Sequence, residues 1–137
     1  MEIRLSSTNG MPVYRQIVNQ VKYLVASGRL QPNQELPTIR GLAERLLINP
    51  NTVVHAYAEL EKDGVIIRRH GSGTYVAENL SRPHTREVAE ALADKIDSVL
   101  ADAAHSNLGL EEILELVRER HALLTNGGKT RTTRSKL

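Results

Sequence analysis

Leu36-Pro37-Thr38-Ile39-Arg40-Gly41-Leu42-Ala43, followed after five intervening residues by Asn49-Pro50-Asn51-Thr52-Val53, is the stretch that decides the fold. The proline holds Leu36 extended and so fixes the approach to the next element. Thr38 is a helix N-cap, and Ile39, Leu42, Ala43, Leu46 and Leu47 repeat behind it as the inward positions of a short helix. A break follows. Asn49-Pro50 then starts a second helix, since Asn caps free backbone N–H groups and proline at the first position has none to satisfy. Val53, Ala56, Tyr57 and Leu60 carry the stripe of that helix to Asp63-Gly64. Two helices joined by a tight connection make a helix-turn-helix.

Upstream, Pro12 opens another helical pattern, with Val13, Ile17, Val21, Leu24 and Val25 on one stripe and Gly28 at its end. Arg15, Gln16, Asn19, Gln20 and Lys22 fall on its other, outward face. Gln31-Pro32-Asn33-Gln34 reads as a turn. Downstream, Val65-Ile66-Ile67 and Thr74-Tyr75-Val76 are strand-like and flank the basic, glycine-rich Arg68-Arg69-His70-Gly71-Ser72-Gly73, which predicts a β-hairpin. The expected fold is therefore mainly α with a small β-hairpin: a winged helix-turn-helix over residues 1–78.

Residues 79–126 differ in character. Ser81-Arg82-Pro83-His84 reads as a linker, and Val88, Ala91, Leu92, Ile96, Val99, Leu100 and Ala103 then form a heptad-like stripe opposite Glu87, Glu90, Asp94 and Asp97. After a break at Ser106-Asn107-Leu108-Gly109, a last helix carries Leu110, Ile113, Leu114, Val117, Ala122 and Leu124, with Glu111-Glu112 at its dipole-favoured end. Two such helices are too few to bury both stripes. They are expected to form a homodimerisation segment through Val88, Leu92, Ile96, Val99, Leu100, Ile113, Leu114 and Val117. Residues 127–137 have no periodicity and predict a disordered tail whose Lys129, Arg131, Arg134 and Lys136 either solubilise the chain or attract phosphates.

Composition narrows the function. Of 137 residues 40% are hydrophobic but only 3% aromatic, all tyrosine, so no stacking platform for single-stranded nucleic acid is available. The absence of cysteine excludes disulfides, thiolate zinc sites and cysteine nucleophiles. Met1-Glu2-Ile3-Arg4 is not a signal peptide, and runs such as Val65-Ile66-Ile67 are too short to span a bilayer, so a soluble cytoplasmic protein without membrane contact is expected. None of the five histidines forms a zinc-type His-x-x-x-His pair, and no phosphate-binding Gly-Lys-Ser/Thr loop or Ser-His-Asp constellation is in view. No metal, cofactor or enzymatic activity is expected. Charge is uneven: residues 1–78 are net +2, residues 79–126 net −4 and residues 127–137 net +4. A basic front suits nucleic acid, and an acidic amphipathic segment suits protein packing.

The ordered string Leu36-Pro37-Thr38-Ile39-Arg40, Asn49-Pro50-Asn51-Thr52-Val53 with Ala56-Tyr57, Leu60 and Gly64, then His70-Gly71-Ser72-Gly73-Thr74-Tyr75-Val76, closely resembles the GntR family of bacterial transcription regulators over residues 11–78. Asn33 stands where that family usually has glycine, and asparagine also tolerates positive φ. The short two-helix end resembles the YtrA-type subfamily, dimeric repressors often associated with transporter operons. The roughly 55 residues beyond the hairpin are too few for the effector-binding or aminotransferase-like domains of larger members. No effector ligand is assigned.

The resemblance implies a double-stranded DNA operator as partner, with the helix from Asn49 as recognition helix. Asn49, Asn51, Thr52 and His55 are its expected contacts, asparagine being suited to adenine and threonine to phosphate or a thymine methyl. For Asn49 capping alone, and for Tyr57 the core, are equally sufficient reasons. Arg40 matches the arginine of the family's Leu-Pro-x-x-Arg motif that contacts DNA; a solvated surface residue is the alternative. At the wing, Arg69, His70, Gly71, Gly73 and Thr74 are expected to approach the minor groove or its phosphates, with Arg68 facing away because strand side chains alternate. A protein-binding winged-helix adaptor and a non-specific DNA-binding protein are the competing readings.

Overall fold

The computed structural model describes residues 1–7, 10–78 and 86–125, and the chain divides into two units, Met1–Leu80 and Ser81–Leu137. The first unit begins with an extended segment laid on helix α1 (Val13–Ala26), whose Ile17, Val18 and Val21 are fully buried. Pro12 is the N-cap of α1 rather than its first residue, with ψ at 146°. Gln16 departs from the expected outward face. Its Nε2 donates to the carbonyls of Ser6 (2.8 Å) and Met11 (2.9 Å), and its Oε1 accepts from the Ser6 N–H (2.8 Å). One turn on, Gln20 accepts from the Arg4 N–H (2.9 Å) and donates to the Arg4 carbonyl (2.6 Å). Two side-chain amides thus do for residues 1–7 what a neighbouring strand would do, and Ile3 is buried beneath.

Helix α2 (Ile39–Leu46) is capped by Thr38, whose Oγ1 accepts from the Gly41 N–H at 2.9 Å. Helix α3 (Pro50–Lys62) is capped by Asn49, whose Oδ1 accepts from the Asn51 N–H at 2.8 Å. Its Val53, Ala56, Tyr57 and Leu60 are buried against α1 and α2. The Tyr57 hydroxyl donates to the Pro37 carbonyl at 2.8 Å, tying the Leu-Pro step to the core. Burial pushes the Tyr57 phenol up to about 12, against the opposing pull of Arg45 and Arg68, so it stays a neutral donor.

Strands β1 (Ile66–Arg69) and β2 (Gly73–Val76) pair antiparallel, with Ile66 opposite Val76 and Arg69 opposite Gly73. The turn before α2 adds to this hairpin: Asn33 N–H donates to the Val76 carbonyl (2.9 Å), Val76 N–H to that of Gln34 (2.9 Å), and Leu36 N–H to that of Thr74 (2.8 Å). Asn33 holds φ at 69°, the positive value asparagine was expected to tolerate.

Leu47 is not an inward position. Ile48 N–H reaches the Ala43 carbonyl (3.0 Å) and Leu47 N–H that of Glu44 (3.3 Å), a Schellman closure that forces Leu47 to φ 59° and turns its side chain into solvent, 90% exposed. Gly64 closes α3 by the same pattern. The helical stripe ends one residue earlier than periodicity indicates, because the reversal rotates Leu47 off the face that Leu42 and Ala43 share.

The second unit contains α4 (Arg86–His105) and α5 (Leu110–Thr125). Leu108 N–H donates to the Ala103 carbonyl (2.8 Å) with Asn107 at φ 64°, and Glu112 accepts from the Gly109 N–H (2.8 Å) to open α5. The two helices do not pack along their lengths. Val88, Leu92, Ile96, Val99, Leu100, Leu114 and Val117 are exposed and Ile113 is half-buried. The expected linker Ser81–His84 and the tail 127–137 lie outside the described residues.

Leucine in the left-handed region costs about 1–2 kcal/mol, partly offset in glycine by the extra freedom of its unfolded chain. Leu47→Gly is expected to raise the stability of the protein by roughly 0.5–1 kcal/mol in urea titration; a loss of stability would contradict this account of the turn.

Candidate nucleic-acid interface

Because the buried stripe of α3 faces α1 and α2, the helix turns its remaining side chains outward. Asn51, Val54, His55 and Ala58 are all exposed, and Thr52 is half-buried. Asn49, Asn51, Thr52 and His55 line one open cleft of about 450 Å³ together with Pro12, Val13 and Tyr14 from the start of α1. The four residues expected on the recognition helix therefore share a site. The Oδ1 of Asn49 is committed to capping, which leaves its NH2 for any further partner. The Asn51 side chain has no hydrogen bond among the described residues, so both of its amide functions are available.

Tyr14 was not foreseen. Its ring stacks on the His55 imidazole, with centroids 3.7 Å apart and planes 14° from parallel. The Arg15 guanidinium lies 5.2 Å from the Tyr14 centroid and 3.9 Å from Glu59. The stack restricts the imidazole to one plane beside Asn51 and binds the start of α1 to the outer face of α3. Tyr14 falls two residues after Pro12 and off the buried stripe; a tyrosine there was the available signal, but only the crossing of the two helices brings it to His55.

Arg40, in the first turn of α2, is exposed and makes no ion pair or hydrogen bond among the described residues. At the hairpin the arginines behave differently from the simple alternation. Arg68 lies 3.6 Å from Glu61, while Arg69 donates to Asn33 Oδ1 (2.9 Å) and covers the Tyr75 ring at 4.4 Å. Arg69 is thus held on its own domain, and His70 is the tip residue left without a partner among the described residues. Gly71, at φ 75°, and Gly73, at φ 134°, occupy backbone conformations closed to most side chains, and a Cβ on Gly71 would meet nothing within 4 Å. Thr74 is half-buried in β2.

Among the described residues, no group of three His, Asp or Glu side chains is placed to hold a metal ion, and no helix is long and apolar enough to cross a membrane.

A helix-turn-helix with an outward third helix and a glycine-tipped hairpin defines the winged-helix class of nucleic-acid-binding domains. Residues 13–76 match the family of bacterial regulatory proteins named gntR. The chain is 33% identical over 127 residues to the HTH-type transcriptional repressor YtrA of Bacillus subtilis, spanning 93% of this chain and 98% of that protein. A solved structure described as a transcriptional antiterminator from Listeria monocytogenes superposes with a TM-score of 0.80 at 30% identity, covering 91% of this chain and 93% of the other. A transcriptional regulator from Oenococcus oeni does so at 0.55 and 36% identity, over 84% and 95%. The chain belongs to the GntR family and is a DNA-binding transcription regulator of the short YtrA type.

Removing the stack should cost what an aromatic pair contributes. Tyr14→Ala is expected to weaken binding to a specific duplex by about two- to tenfold in fluorescence anisotropy, whereas Tyr14→Phe, which keeps the ring, should bind as the parent does. Equal losses in both variants would assign the effect to the hydroxyl and not to the stack.

Proposed function

We propose that the protein is a cytoplasmic homodimeric repressor that places two α3 helices in major grooves of an inverted-repeat operator. Its two copies join through α4 and α5. The observation that carries this reading is the exposure of Val88, Leu92, Ile96 and Val99, each about half accessible, along one stripe of a 20-residue helix. A contiguous exposed apolar stripe of that length is the kind of surface that marks a protein–protein contact. A second copy presents the same stripe in reverse, and a two-fold dimer in turn calls for a two-fold operator.

In the DNA-bound state Arg40 clamps a phosphate or guanine, Asn51, Thr52 and His55 meet base edges, and His70 with Gly71, Gly73 and Thr74 approaches the minor groove. Asn49 both caps α3 and offers its NH2. Arg69 joins the wing contact only by leaving Asn33 and Tyr75, so its contribution is expected to be smaller than that of Arg40.

Selection from randomised duplexes, with the bound species sized by analytical ultracentrifugation at two salt concentrations, tests the whole reading. The expected result is an enriched inverted repeat bound by two chains, with affinity falling steeply as salt rises. A monomer at micromolar concentration, or an enriched sequence lacking two-fold symmetry, would contradict it.

A further inference from the structure

The outward face of α3 carries an unusual chemistry for a helix aimed at DNA. Between Pro50 and Glu61 it has no lysine or arginine, the side chains best suited to guanine. Its first basic residue is Lys62, at the far end. Asn51 is followed one turn later by Val54 and His55, and one further turn on by Ala58, so these four share a face. Val54 is 41% exposed although the fully buried Val53 precedes it.

Nothing in the fold accounts for Val54. A β-branched side chain in mid-helix is less favourable than alanine or a long polar residue, and Val54 stands outside the buried core cluster. Exposed apolar groups are not spread evenly over the first unit either: among its described residues the large ones are Met11, Leu47 and Val54. Leu47 is explained by the Schellman turn, and Met11 lies beside the start of α1. Val54 alone stands on the recognition helix.

We propose that α3 reads A·T pairs by their methyl groups, with Val54 packing on a thymine C5-methyl next to an adenine held by Asn51. The inference rests on the DNA-binding reading and specifies its substrate. Asparagine can pair bidentately with adenine N6 and N7, and only thymine among the four bases presents a methyl in the major groove. Ala58, with a single methyl, keeps the adjoining part of the face apolar and lets the helix lie close to the base edges. On this helix uncharged Asn51 and Val54 supply discrimination, and the phosphate contacts made from outside it supply attraction that is indifferent to sequence.

The test uses the duplex that the full chain enriches from random sequence, with each thymine replaced in turn by deoxyuridine. That replacement deletes the methyl and leaves every hydrogen-bonding atom in place. The expected result is a loss of about fourfold in affinity at one or two thymines in each half-site, the effect of burying one methyl group. Val54→Ala should bind the parent duplex more weakly and lose the difference between thymine and uracil there, while Val54→Thr, which keeps a methyl, should retain part of it. Because Val54 is exposed and alanine is the better helix former, neither variant should melt appreciably below the parent, and melting curves check this. A specific duplex with no methyl-sensitive thymine, or unchanged sensitivity in Val54→Ala, overturns this inference alone. Failure to enrich any duplex overturns the DNA-binding reading along with it.

Discussion

Burial of Val53, Ala56, Tyr57 and Leu60 against α1 and α2 is the constraint on which the rest of the first unit depends. Side chains three and four residues apart share a helix face, so fixing this stripe inside also fixes Asn51, Val54, His55 and Ala58 outside. Tyr57 adds direction to the packing. Its hydroxyl spans from α3 to the Pro37 carbonyl, and an unpaired hydroxyl in that apolar setting would cost free energy comparable to a lost hydrogen bond. The Leu-Pro step, the cap at Thr38 and the entry into α2 are thereby coupled to the orientation of α3.

The hairpin is joined to the same core from the other side. Residues 33–36 lie along β2, so the turn that leads into α2 also supports the wing. Asn33 serves twice: its backbone takes the positive φ that the turn requires, and its side chain accepts from Arg69. The glycine more usual at this position in the family has no side chain to engage the arginine. The wing of this protein is consequently tied to its own domain by a contact that depends on the asparagine.

Much of this was legible in the residue pattern, because each feature there has a local cause. Caps at Thr38 and Asn49, the stripe of α3 and the order of helix, helix-turn-helix and hairpin follow from spacing and turn chemistry alone. What was not legible depends on the third dimension. Gln16 reads as an outward residue by periodicity, yet it is buried because the extended segment 1–7 brings backbone groups that need partners. Leu47 reads as inward, yet the chain reversal turns it out. Tyr14 reaches His55 only because α1 packs against α3, and Arg69 is held by a residue 36 positions away. In the second unit the stripes of α4 and α5 were plain, and in a single chain most of their apolar side chains stand exposed.

Chemical footprinting of the chain on its selected duplex addresses the central claim, that two copies present α3 to one face of DNA. Guanine N7 protection from methylation together with thymine-to-deoxyuridine interference, both in the major groove, should mark two patches related by two-fold symmetry, centred about 10 base pairs or a multiple of that apart, as half-sites separated by whole helical turns require. A single patch, or protection spread evenly along the duplex, would contradict the account.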